Sequence, residues 1–294
     1  MTGRRTPDGR GKEFWRLSEA LRARLADGTY PLGSLLPPQR ELAAEFTVSR
    51  DTVQRVLREL NNEGWIESRQ GSGSRVVKVQ QVQSSTRSGQ EMTLGPLISE
   101  AFKRSEVTLD VYTLTAESMA THLQLQVEEI RAGRIKPERI ALRALLPSES
   151  LDLPYLRAVN REDTPRLRER LHDIARRSTG SILKSLRELR AEKLVPTVEL
   201  HIRHVEIAPT WKLYLINEVE ALQGLYVPIK RPIVMDTGEE IPALDVLGLG
   251  APLAHFVKDD DPTSQGSRFI QDAQRWFDAM WDHVAEEQSQ DTAP

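Results

Sequence analysis

The chain reads LPPQRELAAEF at residues 36–46, TVSRDTVQRVLRELNNEG at residues 47–64 and WIESRQGSGSRVV at residues 65–77, and these residues contain its clearest structural signals. Pro37 and Pro38 can open a helix, because a proline at the first helical position loses no useful N–H. Ser49 is a favourable N-cap for a second helix, and Gly64 accommodates the left-handed conformation that ends one. The pattern predicts two short helices joined by a tight turn.

A hairpin is predicted after the second helix, because two glycines lie between short apolar runs at residues 65–66 and 76–77. Helix, turn, helix and hairpin in this order form a winged helix-turn-helix, which places its second helix in the DNA major groove. At the start of that helix, the residues predicted to face outward are hydrogen-bonding types suited to phosphates and base edges. They are Ser49, Arg50, Thr52 and Gln54.

These motifs resemble the GntR family of bacterial transcription regulators over residues 14–79. The resemblance lies in a Gly-x-x-Leu-Pro-x-x-Arg-x-Leu-Ala element, a Val-Ser-Arg-x-Thr-Val element, a Leu-x-x-Glu-Gly element and a Gln-Gly-x-Gly wing. It implies that Arg40 contacts DNA, that Arg50 reads a base and that the wing glycine Gly71 approaches the minor groove. The DNA-binding residues expected on this basis are Arg40, Ser49, Arg50, Thr52, Gln54, Arg69, Gln70, Gly71 and Arg75.

One residue departs from the pattern of the family. Many members carry arginine at the position that Gln54 occupies in this chain. Glutamine pairs well with adenine, so we expect the operator to differ from the commonest sites of the family.

Length and composition limit the remaining possibilities. At 294 residues, the chain suits two domains, and the absence of cysteine excludes disulfides, thiolate metal sites and a cysteine nucleophile. No apolar run approaches the roughly 20 residues needed to cross a membrane, and the N-terminus lacks the apolar core of a signal peptide. We therefore expect a cytoplasmic protein with no membrane contact.

The net charge of −3 conceals an asymmetry. Residues 1–80 contain 14 Lys and Arg against 10 Asp and Glu, whereas the rest of the chain contains 26 against 33. A basic head joined to an acidic body favours a nucleic-acid-binding segment followed by one that does not bind nucleic acid.

The second half of the chain alternates between strand and helix patterns, which predicts an α/β domain. Strands are expected at 107–112, 140–146, 198–202, 211–216 and 222–227, and helices from Thr115, from Asp163 or Thr164 with an interruption at 178–181, and at 269–286. The predicted organisation is a disordered basic tail (1–12), a winged-helix domain (13–79), a linker (80–91), an α/β effector-binding and dimerisation domain (92–288) and a tail (289–294).

One segment of the α/β domain weakly resembles phospholipase D-like domains, which carry His-x-Lys-(x)4-Asp on a strand. Here Lys212 is kept, while Thr210 and Asn217 stand in place of the histidine and the aspartate. The resemblance implies a degenerate domain without a nucleophile, in which Thr210, Lys212 and Asn217 bind an anionic effector. An ordinary amphipathic strand with an exposed lysine is an equally open interpretation.

No catalytic residue, metal site or cofactor is predicted. The resemblance to all-helical metal-binding effector domains fails because strands are too frequent, and His201 and His204 are an odd number of residues apart on one strand, so they face opposite sides. The chain is expected to be a homodimeric transcription regulator that binds a double-stranded DNA operator and an unknown small-molecule or anionic effector. The alternative is a phosphodiesterase or nuclease with an attached DNA-binding head.

Overall fold

A computed structural model describes residues 7–26, 29–69, 73–77, 82–84, 94–247 and 252–287. Contacts within the chain divide it into two units. The first, which we call the head unit, comprises Met1–Gln80, Tyr155–Arg170 and Pro228–Gly250. The second, which we call the sheet unit, comprises Gln81–Pro154, Leu171–Val227 and Ala251–Pro294.

After the first hairpin, helices and strands are interspersed as far as residue 191, and six consecutive strands of the described ranges then precede the last helix. The helices are α1 (Pro7–Ala26), α2 (Gln39–Glu45), α3 (Arg50–Asn62), α4 (Leu94–Ala101), α5 (Glu117–Arg131), α6 (Thr164–Ala191) and α7 (Gln265–His283). The strands are β1 (Ile66–Arg69), β2 (Gly73–Val76), β3 (Val82–Ser84), β4 (Glu106–Tyr112), β5 (Arg139–Pro147), β6 (Arg157–Ala158), β7 (Thr197–Val205), β8 (Trp211–Ile216), β9 (Glu220–Leu225), β10 (Val227–Val234), β11 (Glu240–Leu247) and β12 (Leu253–Val257).

The core of the head unit is built from apolar stripes on α1 and α3. Leu17, Leu21 and Leu25 repeat at four-residue spacing on α1 and are fully buried, as are Val53 and Val56 on α3. This spacing places each set on one side of its helix, so the two helices bury their apolar faces together. The opposite side of α3 is left for other contacts.

A second part of the head unit comes from distant sequence. Strands β10, β11 and β6 form a three-stranded sheet in that order, with β6 antiparallel to β11. Within this unit, the Asn62 side chain donates to the Pro232 carbonyl at 3.5 Å, and Arg58 lies 3.5 Å from Glu240. Arg170 also donates to Glu59, which is 1% exposed. The helix-turn-helix therefore packs with segments far from it in sequence.

The sheet unit contains a seven-stranded mixed sheet in the order β3-β12-β9-β8-β4-β5-β7. Strand β5 runs parallel to both of its neighbours, β4 and β7. The pairs β4–β8, β8–β9 and β9–β12 are antiparallel. Residues alternate between the two faces along each strand. One face packs with α4, α5 and α6, and the other packs with α7, so both faces are covered.

The strand and helix pattern predicted for the second half is confirmed in its main elements, β4, β5, β7, β8, β9 and α7. The predicted interruption at residues 178–181 is wrong, because α6 is continuous. The Thr179 hydroxyl donates to the carbonyls of Ala175 and Arg176, so this polar side chain is satisfied within the helix. Burial of Leu186 and Leu189 on the next turns outweighs the cost of about 1 kcal/mol for one helical glycine.

Two further segments differ from expectation. Helix α1 begins at Pro7, inside the predicted disordered tail, whose first six residues lie outside the described part of the chain. Val82–Ser84, inside the predicted linker, pairs in parallel with β12 at the edge of the sheet, where backbone hydrogen bonds compensate for a polar composition. Because residues 155–170 and 228–250 pack in the head unit, the contact units depart from the predicted boundary at residue 92; the domain boundaries themselves stay a prediction.

Candidate nucleic-acid interface

The N-terminus of α3 is held by its own cap. Ser49 has an extended backbone, and its hydroxyl accepts a hydrogen bond from the Thr52 backbone N–H at 3.1 Å. Asp51 lies in the first turn, where the helix dipole favours negative charge. These local interactions fix where the helix begins and which residues point outward from its first turns.

Three of the predicted DNA-contacting side chains are exposed and available. Arg40 on α2, and Arg50 and Gln54 on α3, are exposed and make no hydrogen bond or ion pair with any residue that the structure describes. Ser49 is exposed as well. The first turns of α3 thus present a cation and an amide, the donor types that pair with guanine and adenine edges in the major groove.

Thr52 does not belong to this outward set, so its predicted orientation is wrong. It is only 2% exposed, and its hydroxyl lies 2.9 Å from the Ser49 hydroxyl. One turn of the helix separates it from Ser49, and this places it beside the cap and next to the buried Val53. Its contribution is to hold Ser49 in place.

The wing is the hairpin of β1 and β2, which pair antiparallel with Arg69 opposite Gly73. Gln70 and Gly71, which we predicted to contact DNA, lie outside the described residues, and Arg69 is described only as the end of β1. Arg75 is exposed, and its guanidinium donates to the Gly33 carbonyl. That bond ties the second strand of the wing to the loop before α2.

A buried ionic cluster supports α3 from behind. Arg22 of α1 is 3% exposed and donates to Glu63 at 2.6 and 3.1 Å and to Ser18 at 2.6 Å. Arg22 also lies 3.3 Å from Glu59. Burial by itself raises the pKa of Glu63, but the nearby charge of Arg22 and its hydrogen bonds lower the pKa overall. The cluster fixes α3 against α1 without using the outward face of α3.

The residues predicted to form an effector site, Thr210, Lys212 and Asn217, are not gathered at one opening. Thr210 precedes β8 and is exposed, whereas Asn217 follows β8 in the turn, about 23 Å along an extended chain at roughly 3.3 Å per residue. Lys212 lies on β8 and is 2% exposed, so the interpretation as an exposed strand lysine is wrong. Their sequence proximity does not produce a shared site.

The surroundings of Lys212 and Asn217 are those of structural residues. A Cβ added to Gly224, opposite Lys212 on β9, would lie 3.0 Å from Lys212 Cε and 2.7 Å from Leu253, so the glycine makes room for the lysine. Asn217 has a left-handed φ of 52°. It accepts from the Thr108 N–H at 2.8 Å and donates to the Ala101 carbonyl at 3.3 Å, which fixes the turn between β8 and β9.

Helix, tight turn, helix and hairpin define the N-terminal part of the chain as a winged helix-turn-helix, the class whose second helix enters the major groove. The family model described as "Bacterial regulatory proteins, gntR family" matches residues 16–76. These residues are a GntR-family helix-turn-helix domain, as the motifs of residues 33–73 predicted.

Similar proteins match over the same part of the chain. An uncharacterised HTH-type transcriptional regulator of Mycobacterium tuberculosis is 39% identical over 68 residues, 23% of this chain and 28% of its own length. A protein of Salmonella typhimurium named as an HTH-type transcriptional repressor is 46% identical over 55 residues, 19% of this chain and 23% of its own length. The matched region thus spans about a quarter of each relative.

Among solved structures, a GntR family transcriptional regulator from Listeria monocytogenes is 25% identical and covers 26% of this chain and 62% of its own. Its TM-score is 0.22. The likeness of the sheet unit to phospholipase D-like domains stays a prediction.

Two further properties of the described residues bear on function. Their His, Asp and Glu side chains form no group of three or more that could hold a metal ion. None of the helices in the described ranges has the length and apolar character needed to cross a membrane. The sequence patterns did not indicate that residues 155–170 and 228–250 pack in the head unit, because no local pattern marks this packing.

Proposed function

We propose that the protein is a sequence-specific DNA-binding transcription regulator. The observation that carries this proposal is the first turn of α3 in a GntR-family helix-turn-helix, where Arg50 and Gln54 are exposed and make no bond to the described residues. In the major groove, Arg50 pairs with a guanine and Gln54 pairs with an adenine. Arg40 and Arg75 contact phosphates and position the helix without reading sequence. The wing residues Arg69, Gln70 and Gly71 contact the neighbouring DNA, where Gly71 approaches the minor groove.

We further propose that the protein binds its operator as a homodimer. A single small DNA-binding module buries too little surface for tight, selective binding, and two-fold dimers that read paired half-sites are the usual solution. The sheet unit, with both faces of its sheet covered, has a core of its own and is large enough to carry an effector-binding function. Repression of the target genes is the expected mode, and activation stays open.

The proposal assigns no reaction to the chain. At the position of the phospholipase D-like histidine, Thr210 has no imidazole to attack phosphorus, and Lys212 is buried. We place no effector at Thr210, Lys212 and Asn217, because these residues lie apart along β8 and the turn that follows it.

The test begins with selection of genomic fragments bound by the full chain, followed by titration of variants on the selected operator and on a scrambled duplex. Loss of a bidentate guanine contact costs about 1–3 kcal/mol, so Arg50→Ala should weaken operator binding by roughly 5–150-fold and leave binding to scrambled DNA nearly unchanged. The stoichiometry at saturation should be two chains per operator.

Two arginine variants provide the controls. Arg75→Ala should weaken binding to both duplexes and reduce the salt dependence of the affinity, because it removes a phosphate contact. Arg104→Ala, at an exposed arginine of the sheet unit, should change neither the affinity for the two duplexes nor its salt dependence. Equal losses on both duplexes for Arg50→Ala, or failure of the selection to enrich any sequence, would rule out sequence reading by α3.

A further inference from the structure

The sheet unit contains a cavity of about 610 Å³ that the DNA-binding proposal does not use. It lies at the carboxyl ends of two parallel strands: Ser148 and Glu149 directly follow β5, and His204 is the penultimate residue of β7. In open α/β sheets, ligands bind preferentially in the crevice outside the carboxyl ends of the strands. The volume is also within the range of small-molecule sites, about 300–1,000 Å³.

One side of α6 forms a wall of the cavity. His172, Arg176, Thr179, Leu183 and Arg187 all line it and repeat at intervals of three to four residues, which is one face of a helix. At about 1.5 Å per residue, this face extends roughly 22 Å from His172 to Arg187. The polar residues stand towards its ends, and its middle carries small or apolar side chains.

The opposite wall combines apolar side chains with the polar residues Ser148, Glu149, His201 and His204. Leu146 of β5 and Ile202 of β7 line the cavity and contribute to the core between the sheet and its helices. Leu114 and Leu153 line it from the segments after β4 and β5. Together with Leu183, these side chains offer a long apolar surface, which favours a ligand with an extended hydrocarbon or aromatic body.

The charges around the cavity leave one arginine unmatched. Glu149 pairs with Arg176 at 3.1 Å, and Glu287 lies 3.7 Å from Arg203, so both lining carboxylates already face an arginine. Arg187 has no acidic partner within 4.0 Å among the described residues. Burial lowers the pKa of His204 from its usual value, which favours the neutral form of this histidine. The uncompensated positive charge of the lining is therefore that of Arg187.

We propose that this cavity binds a small carboxylic acid with an extended apolar body, whose carboxylate pairs with Arg187 and whose body lies along Leu183, Leu146 and Ile202. An arginine binds a carboxylate through two parallel N–H···O bonds, which gives orientation as well as affinity. This inference rests on the proposed function for the role of the ligand, that of an effector, but the binding site itself is a property of the sheet unit alone.

Three probes with the same ten-carbon chain and different head charges test the site by calorimetry on the full chain: decanoate, 1-decanol and decyltrimethylammonium, each below its aggregation limit. Decanoate should bind with one site per chain. Decanol should bind about tenfold more weakly, because it lacks the contact with Arg187, and the cation should bind most weakly. Equal affinity for decanoate and decanol would overturn the proposal.

Variants on α6 locate the site. Arg187→Ala should weaken decanoate binding about tenfold and leave decanol binding unchanged, whereas Arg190→Ala, one turn further along the same helix and also exposed, should change neither. Thr179→Trp should fill the cavity and abolish binding of both probes. A tryptophan at this position of α6 strains the helix if the cavity does not accept it, so the circular dichroism of the variant must match that of the parent. The result with Arg187→Ala decides in either case. Decanoate binding that survives Arg187→Ala at full strength would place the ligand elsewhere.

A final measurement separates this inference from the proposed function. The affinity for the selected operator is measured with and without saturating decanoate. Binding of decanoate that depends on Arg187 supports the site whether or not the operator affinity changes, since calorimetry involves no DNA. Operator binding that is normal while no decanoate binds overturns the site and leaves the DNA-binding proposal intact.

Discussion

The buried ion pairs of Arg22 behind α3 should contribute measurably to the stability of that helix. Arg22 is 3% exposed and joins two carboxylates on α3 and its cap, Glu59 at 3.3 Å and Glu63 at 2.6 Å. Replacing Arg22 with methionine keeps the apolar length of the side chain and removes its charge. The two carboxylates, 1% and 10% exposed, then lose a partner without gaining solvent.

The expected loss in free energy of unfolding depends on how completely the remaining arginines compensate the charges of the two carboxylates. Breaking a buried ion pair by removal of one partner costs about 3–5 kcal/mol, because an unpaired buried charge remains. Glu59 keeps Arg170, and the charge of Arg231 also acts on Glu63, so the loss should lie at the lower end, about 3 kcal/mol. That value corresponds to a change of about a hundredfold in the opening equilibrium.

Hydrogen exchange of the full chain, followed by mass spectrometry, measures this locally. Amides of α3 should exchange about a hundredfold faster in Arg22→Met than in the parent chain. Arg50→Met is the matched control, since Arg50 lies on the same helix, is exposed and has no partner among the described residues. Surface substitutions of that kind change stability by about 0.5 kcal/mol or less, so its exchange should stay close to that of the parent.

The double variant Arg22→Met with Glu63→Leu decides whether the effect is electrostatic. Replacement of a whole buried pair with apolar side chains is often neutral or stabilising, so the double variant should recover more than half of the protection lost in Arg22→Met. Unchanged exchange in Arg22→Met, or losses that simply add in the double variant, would refute the role assigned to the cluster.

Glu63 in the head unit and Asn217 in the sheet unit each allow a further test. The pKa of Glu63 is lower in the folded state, so the ionised Glu63 side chain stabilises the fold above the unfolded pKa of about 4.3, and this stabilisation is lost as the pH falls through the folded pKa. Glu63→Gln should remove this part of the acid dependence of α3 exchange. A pH profile identical to that of the parent would contradict the prediction. Asn217→Ala should lower the free energy of unfolding by about 2–3 kcal/mol, because two hydrogen bonds are lost and alanine disfavours the left-handed φ of 52°. Asn217→Gly should cost less, because glycine accepts that φ. A thermal unfolding midpoint that is lower for the glycine variant than for the alanine variant would count against a structural role of Asn217.

The strands of the sheet unit show which elements local sequence patterns can predict. The alternation at β7 and the apolar runs of β4, β5 and β8 identify these strands, because the period of a strand is visible within a few residues. The continuity of α6 is not visible in the same way. The segment at residues 178–181 has the composition of a turn, and only the burial of the flanking leucines against the sheet decides that it stays helical.

Some residues of the candidate sites were predictable from the sequence, and others were not. The outward positions of Arg50 and Gln54 follow from the cap at Ser49 and the helical period, so they are predictable. Thr52 was misplaced because its hydroxyl turns back to the cap. The neighbourhood of Thr210, Lys212 and Asn217 in sequence indicated a site, yet the extended strand between them holds the two ends apart.

By itself, the sequence determined the helix-turn-helix at residues 36–77 and its family, because proline, capping serine, terminal glycine and the apolar stripe all act within a few residues of one another. Three features became visible in the folded chain alone. Residues 155–170 and 228–250 pack in the head unit, Arg170 meets Glu59 across 111 positions, and the ends of β5 and β7 line a cavity together with α6. These contacts join residues far apart in the chain. Their formation depends on which apolar faces and buried charges find compensating partners, and no local period encodes that choice.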